Sequence, residues 1–322
     1  MSERALITGV SGFVGTHLAA MLVREGYEVA GTAAEFASGW EDNYPELRSV
    51  QVTTADLTNE LAVRGVLERT RPRHIYHLAA QSHVPTSWRQ PRYTFETNVL
   101  GTLDLLEAVN DMKLDCRILS VCTGDAYGVV DESQQPIRET QPLVPGNPYA
   151  SSKAAQDLLT QQYAASPGLD AMVTRSFSHT GPGQSDQFVC SAFARQVVEI
   201  ELGRREREVS VGNLKPQRDF LDVRDVVRAY HLAMLKGEKG AVYNIASGVA
   251  RSIESVLQKL LELTKLTVAI RRDPVRYRPT DLMVVRGDAT KFREATGWKP
   301  EIAWEQTLGD LLDYWRKRLG EK

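Results

Sequence analysis

Cysteine is scarce in this chain: Cys116, Cys122 and Cys190 are three in 322 residues, widely spaced and odd in number, which excludes a disulfide framework and a cysteine-built zinc cluster. The six histidines show no metal-ligand spacing either. No apolar run reaches the roughly 20 residues of a membrane span, and Met1–Ile7 leads into a strand with no charged-then-apolar signal pattern. A net charge of -2 offers no general field for nucleic acid. The one local charge cluster, Arg204-Arg205-Glu206-Arg207-Glu208, mixes signs as a solvated loop or helix end does. Internal repeats and low-complexity tracts are absent. These absences point to a soluble, cytoplasmic chain, and 42% hydrophobic with 25% charged residues is enough for a large core, with a length that suggests two domains.

What is present begins at the N-terminus. Arg4-Ala5-Leu6-Ile7-Thr8 reads as a short buried strand running into Gly9-Val10-Ser11-Gly12-Phe13-Val14-Gly15, with a helix from about Gly12 to Gly26. Glycines spaced G-x-x-G-x-x-G between strand and helix permit a tight turn, bring backbone amides to a pyrophosphate and let the helix pack on the sheet. Further strands are expected at Glu28–Ala33, Val50–Thr53, His74–Leu78, Arg117–Cys122 and Ala171–Thr174, with helices between them. That alternation predicts an α/β fold with a Rossmann-type doubly wound parallel sheet, because each parallel connection needs a crossover. After about Phe177 the pattern loosens, apart from a helix at Glu254–Thr264, and a smaller C-terminal α/β substrate domain is expected. The boundaries are 1–176 with a returning segment at about 218–245, against about 177–217 and 246–322.

The segment Asn147-Pro148-Tyr149-Ala150-Ser151-Ser152-Lys153 sets a tyrosine and a lysine one helical turn apart. An ammonium beside a phenol lowers a pKa that starts near about 10 and allows proton exchange with a substrate oxygen near neutral pH. Taken alone, the pair more readily describes a surface lysine on an amphipathic helix beside a packing tyrosine. Thr123, closing a buried strand, is placed to face the same substrate atom, although a β-branched strand residue is its plain reading.

Together these residues resemble the extended short-chain dehydrogenases/reductases that act on nucleotide sugars, over nearly the whole length. The resemblance is carried by Thr8–Gly15, Asp56-Leu57, His77-Leu78-Ala79-Ala80-Gln81, Asn98-Val99-Leu100-Gly101-Thr102, Thr123-Gly124-Asp125-Ala126-Tyr127-Gly128 and the Tyr149/Lys153 pair. Downstream it continues in His179-Thr180-Gly181-Pro182-Gly183-Gln184, Arg218-Asp219-Phe220-Leu221-Asp222-Val223 and Gly297-Trp298-Lys299-Pro300. Within that family it is similar to reductases of GDP-4-keto-6-deoxyhexoses, with GDP-mannose 4,6-dehydratases as near relatives.

The resemblance implies NADP(H) or NAD(H) bound by Gly9, Gly12, Phe13, Val14, Gly15, Asp56, Leu57, Leu78, Ala79, Ala80, Asn98, Tyr149 and Lys153. Neither an acid nor an arginine ends the second strand at Gly31-Thr32-Ala33-Ala34, so the choice between coenzymes rests on Glu35, which is as readily a solvated loop residue. Asp56-Leu57 equally suits a loop and cap. It further implies that Tyr149 donates a proton, Thr123 holds the oxygen and Lys153 binds ribose while hydride reaches C4 of a GDP-linked 4-keto-6-deoxyhexose, giving GDP-D-rhamnose. Substrate contacts are expected from His83, Asp125, Ser178, His179, Gln184, Val189, Arg218, Arg278 and Asp281. Relatives commonly carry asparagine at the place of Ser178 and glutamate at that of Asp281, and Arg218 has an alternative in a salt bridge to Asp219 or Asp222. Asp125 either contacts the sugar or caps its turn.

Sugar dehydration also needs the C5 proton removed and the C6 hydroxyl expelled. The dehydratases place a glutamate, sometimes preceded by aspartate, just after the threonine, where this chain has Gly124 and the shorter Asp125. The expectation is therefore an NAD(P)H-dependent 4-ketoreductase. The alternatives are a GDP-mannose 4,6-dehydratase, a nucleotide-sugar 4-epimerase and an NAD(P)-sensing binding protein. Family packing implies a homodimer through a four-helix bundle of helices near Thr102–Asp111 and Ser152–Ala165, using Leu103, Leu106, Leu158 and Leu159. The Ala34–Ser49 segment lacks an arginine-rich loop for tetramers.

Overall fold

The computed structural model describes residues 3–35, 40–41, 44–274 and 283–320. Its strands, in chain order, are β1 (Arg4–Thr8), β2 (Glu28–Ala33), β3 (Gln51–Thr54), β4 (His74–His77), β5 (Arg117–Thr123), β6 (Asp170–Ser176), β7 (Ser178–Thr180), β8 (Glu208–Val211), β9 (Gln217–Asp222), β10 (Val242–Ile245), β11 (Ala250–Ser252), β12 (Ala269–Arg272) and β13 (Val284–Val285). The helices are α1 (Phe13–Arg24), α2 (Glu60–Thr70), α3 (Val84–Arg89), α4 (Pro91–Phe95), α5 (Gly101–Asp111), α6 (Pro148–Ala165), α7 (Val189–Glu201), α8 (Val223–Lys236), α9 (Ile253–Thr264), α10 (Thr290–Thr296) and α11 (Trp304–Gly320).

Among the described residues, seven strands form one parallel sheet in the order β10-β6-β5-β4-β1-β2-β3. Alternation along β1 shows how it is buried: Ala5 and Ile7 join a core with Leu18 and Leu22 of α1 and Val226 and Val227 of α8. Leu6 joins a core with Val63 and Leu67 of α2 and Leu105 of α5. Side chains of period two thus feed both faces, which is why the strand reads as an unbroken apolar run. The chain winds outward in both directions from β1, so β1 and β4 flank a switch point, and the loops at the carboxyl ends of these strands part there to leave a crevice.

The expected strands lie within two residues of the observed ones. α7 and α11 are additions that the looser C-terminal pattern did not announce. With α9, β8 and β9 they enclose a separate core containing Phe193, Val197, Phe220, Leu257, Leu311 and Trp315. Val285, Phe292 and Trp298, although late in the chain, pack in the sheet core with Tyr243 and α8. A second, four-stranded sheet joins β7, β11 and β13 to β9, and its pairing of Ser178 with Phe220 carries the chain from β6 across to β9. No helix among the described residues is long and apolar enough to cross a membrane.

Candidate active site

The turn after β1 can be built only from glycine. Gly9 has φ +73°, and a Cβ there would stand 3.0 Å from the Ala79 backbone. At Gly15 a Cβ would lie 2.3 Å from the Gly9 carbonyl oxygen and 2.7 Å from that of Val10. The start of α1 is thereby pressed onto the turn, and Ser11, Gly12, Phe13, Val14 and Gly15 line the crevice. A buried chain of hydrogen bonds fixes the turn from below. Ala79 N–H donates to Thr8 Oγ1 at 3.1 Å, and the Thr8 hydroxyl donates to His77 Nδ1 at 2.8 Å. His77 Nε2–H then donates to Thr102 Oγ1 at 2.8 Å, and Thr102 to the Asn98 carbonyl at 2.7 Å. Each hydroxyl accepts one bond and donates the next, which sets His77 as the neutral Nε2–H tautomer. Burial, aided by the charge of Lys153, holds its pKa down at about 3.

A cleft of 1810 Å³ runs along the carboxyl ends of the parallel strands. Every residue expected to hold the coenzyme lines it, with Asn98 the exception. Asn98 is fully buried in a π-helical turn at Glu96–Leu100. Its Oδ1 accepts from Gln81 N–H at 2.7 Å, and its Nδ2 donates to the Gln81 carbonyl at 3.1 Å and to Ser152 Oγ at 2.9 Å. The asparagine therefore braces the cleft wall from behind, a departure from the expected direct contact. Asp56 lines the cleft, and one of its oxygens also closes a turn by accepting from Thr58 N–H at 2.9 Å and Thr58 Oγ1 at 2.8 Å. Asn59, not Asp56, caps α2.

Seven expected substrate residues, His83, Asp125, Ser178, His179, Gln184, Val189 and Arg218, face the same cleft, whereas Arg278 and Asp281 lie outside the described residues. His179 donates from Nδ1 to the Phe177 carbonyl at 3.0 Å and stacks on Phe13, with centroids 6.2 Å apart and planes 12° from parallel. Its Nε2 is then the acceptor edge, and burial lowers its pKa and keeps it neutral. Gln184 spends its side chain inside its own loop, accepting from Thr180 Oγ1 at 2.6 Å and donating to the His179 carbonyl at 3.0 Å. Asp222 caps α8 and holds Arg224, while Asp219 takes N–H bonds from Ser247, Gly248 and Gly287. Arg218 itself donates to the Gln217 carbonyl at 2.9 Å.

The helix carrying the tyrosine and lysine starts where its sequence dictates: Asn147 Oδ1 accepts from Ala150 N–H at 2.9 Å, and Pro148 opens the first turn. Thr123, Asp125, Tyr149 and Lys153 all reach the cleft. The Tyr149 pKa is raised, first by burial and next by the charge of Asp125, with the Thr123 hydroxyl partly offsetting both. The sequence expectation of a phenol lowered by Lys153 is corrected here. Lys153 points its ammonium at Gln156, donating to Oε1 at 2.6 Å, and Gln156 donates onward to Ser120 Oγ at 2.9 Å. Burial lowers the Lys153 pKa in turn. The arrangement holds a neutral phenol beside a hydroxyl, which is a proton donor's configuration.

Three residues that sequence reasoning missed share this wall: Ser176, Phe177 and Tyr230. Ser176 Oγ and the Tyr230 hydroxyl lie 2.7 Å apart, both buried, and Ser176 stands opposite Thr123 in the sheet. Nothing local marks Tyr230 in the sequence. For Phe177 the one signal was Gly124, a glycine directly after a buried strand.

Comparison with known proteins adds to this geometry. The family model described as GDP-mannose 4,6 dehydratase matches residues 6–311. The chain is 37% identical to the GDP-6-deoxy-D-mannose reductase of Pseudomonas aeruginosa over 100% of both proteins. It is 31% identical to the GDP-mannose 4,6-dehydratase of Sinorhizobium fredii, covering 97% of this chain and 98% of that one. Among solved structures, RMD from Pseudomonas aeruginosa complexed with NADPH is similar at TM-score 0.86 and 35% identity, covering 98% of this chain and 100% of the other. The UDP-glucose 4-epimerase of Thermotoga maritima with UDP-glucose reaches TM-score 0.88 at 29% identity, covering 98% and 99%.

Proposed function

The chain belongs to the GDP-mannose 4,6 dehydratase family of extended short-chain dehydrogenases/reductases, and within it we propose an NAD(P)H-dependent reductase that converts the C4 ketone of GDP-4-keto-6-deoxy-D-mannose to the alcohol of GDP-D-rhamnose. The observation that carries this reading is the turn after Thr123, where Gly124 has no side chain and Asp125 lines the cleft with Thr123, Tyr149 and Lys153. Reduction of a ketone asks for one proton donor and no C5 base.

The residues present suit a dinucleotide. A Cβ would fill the cradle at Gly9 and Gly15, and Asp56, Leu57 and Leu78–Ala80 line the space beyond it. The reduced nicotinamide, when bound, supplies the hydride. Tyr149 delivers the proton to the C4 oxygen, and Thr123 orients that oxygen by hydrogen bonding. Lys153, buried and held by Gln156, binds ribose hydroxyls. Arg218 clamps a phosphate with its planar guanidinium, His83 and the acceptor edge of His179 polarise substrate groups beside Ser178, Gln184 and Val189, Arg278 holds the diphosphate or nucleoside, and Asp281 accepts ribose hydroxyls. Burial, and next the charge of Asp125, favour the protonated form of Tyr149.

We assign the coenzyme to 1–176 with 218–245 and the nucleotide sugar to 177–217 with 246–322. The separate core under α7, α9 and α11 supports this division, with Phe292 and Trp298 returning to the first. A cytoplasmic homodimer is part of the proposal. Leu158 on α6 is 59% exposed and Leu103 on α5 half-buried, as a four-helix bundle would use them, whereas Leu106 belongs to the core of its own chain. The test is to supply GDP-4-keto-6-deoxymannose and GDP-mannose separately while following NADPH and NADH absorbance. Coenzyme consumption with the keto sugar alone is expected. Redox-neutral conversion of GDP-mannose to a keto product would replace this reading with the dehydratase.

A further inference from the structure

A buried ion pair that the chemistry above does not use lies beneath the reacting group. Tyr149, Lys153 and Asp157 follow one another at four-residue spacing and share one face of α6. Asp157 is fully buried, and its Oδ2 accepts from Nε of Arg175 on β6 at 2.7 Å, while its Oδ1 accepts from Nη2 of the same guanidinium at 3.2 Å. The remaining nitrogen, Nη1, donates to the Tyr127 hydroxyl at 3.0 Å and to the Glu139 carbonyl at 3.2 Å. Tyr127 ends the single turn Gly124–Tyr127, which Thr123 opens and which carries Asp125. Its hydroxyl donates in turn to Asn244 Oδ1 at 2.7 Å, and its ring centroid lies 5.1 Å from the guanidinium carbon. Arg175 also stands opposite Cys122 in the sheet, one residue before Thr123. One planar group thus grips both the helix of Tyr149 and the turn after Thr123, although Arg175, Asp157 and Tyr127 do not themselves line the cleft.

A buried ion pair loses in desolvation much of what it gains by attraction, so it adds little net stability. What it adds is direction, since a guanidinium presents its donors in a rigid fork. We propose that Arg175 is a positioning residue for the reduction: holding Asp157 with one edge and Tyr127 with the other, it sets Tyr149 on α6 against Thr123 and Asp125 on the turn. The proposal rests on the reductase reading and deepens it. The helix is unbroken from Tyr149 to Asp157, so fixing the carboxylate fixes the phenol. Gln156, bonded to Ser120, ties the same part of α6 to β5 but does not reach the turn. The phenol and the Thr123 hydroxyl must meet one ketone oxygen, and a misplacement of about 1 Å costs up to about a hundredfold in rate.

A double-mutant cycle tests this in the full chain with Arg175→Lys, Tyr127→Phe and the pair, measuring melting temperature and, well below the transition, steady-state reduction of GDP-4-keto-6-deoxymannose. Lysine keeps a cation for Asp157 without the fork that reaches Tyr127, and phenylalanine keeps the ring without the hydroxyl. Each single change is expected to lower kcat about tenfold, with the KM for the sugar and the affinity for coenzyme held within about twofold. The pair should be no slower than Arg175→Lys alone, because both changes cut the same link. Melting temperatures fall as well, since each change leaves a buried polar group unpaired, but lost stability by itself does not lower kcat in a chain that is still folded. An unchanged kcat in Tyr127→Phe, a loss in KM in place of kcat, or kcat losses that multiply in the pair overturns the proposal. Tyr127→Phe decides the matter by itself should Arg175→Lys not fold. If the natural chain instead turns GDP-mannose into a keto product, the reductase reading falls. The same cycle run on that reaction still decides the role of Arg175, because oxidation at C4 asks for Tyr149 and Thr123 in the same places.

Discussion

The two walls of the cleft are made in opposite ways. On the coenzyme side, β1, the glycine turn and α1 are contiguous, and the shape follows from where a Cβ cannot stand: 2.3 Å from a carbonyl at Gly15, 3.0 Å from a backbone atom at Gly9. On the sugar side, Ser178, Val189 and Arg218 come from β7, α7 and β9, brought together by the pairing of Ser178 with Phe220 and by a core of their own. A wall made of one short segment tolerates almost no change in that segment. A wall assembled from several segments can be altered one contact at a time, which is how one fold serves different sugars.

The chemistry sits where the walls meet, and the largest expected effect is there. Tyr149→Phe should lower turnover by about two to four orders of magnitude, the scale for removal of a positioned acid, with coenzyme binding retained. Coenzyme titration by fluorescence alongside single-turnover reduction separates the two. Turnover near that of the natural chain would take Tyr149 out of the mechanism and leave the cleft as a binding site.

Next in size is a break in the coenzyme wall. Gly15→Ala places its methyl against two carbonyl oxygens of the turn, which are backbone and cannot swing aside. Overpacking of this kind costs roughly 1–3 kcal/mol, and here the upper end is expected together with loss of coenzyme affinity. A melting curve and an NADPH titration check it; an unchanged affinity would mean the pyrophosphate does not rest on this turn. The sugar wall should respond differently. Arg218→Ala is expected to raise the KM for the GDP sugar about tenfold, one charge-assisted contact, with kcat and coenzyme affinity held. A loss confined to kcat would reassign Arg218 to the reacting end.

The same contrast decides what the sequence made legible. β1, the turn and the Asn147-capped start of α6 were readable because each is set by neighbours within a few residues. Asn98 stood in a recognisable motif, yet its direction was not readable, since a π-helical turn aims it at Gln81 and Ser152, from segments about 17 and 54 positions away. The pKa of Tyr149 was misjudged for a related reason: spacing gave the lysine as neighbour, but burial and Asp125 come from the folded cleft, and Gln156 takes the ammonium. Phe177 needed contacts to positions 124 and 287 at once, which no local window contains.

The smallest expected effect concerns Asp125, which stands on neither wall but between them. Reduction needs Tyr149 protonated, and the charge of Asp125 is the second largest cause, after burial, of its raised pKa. Asn at this position removes a negative charge that opposes the phenolate, so the Tyr149 pKa falls and the fraction still carrying its proton declines at a lower pH. The basic limb of the kcat/KM profile of Asp125→Asn should therefore move to lower pH, by about one unit or less for a single partly solvated charge, with the rate on the acid side little changed. The profile is measured with the keto sugar and saturating coenzyme against that of the natural chain. A limb that stays in place or moves upward would mean that Asp125 does not act through the phenol. A fall in rate at every pH would make it a contact of the sugar, joining it to the wall that Arg218 serves.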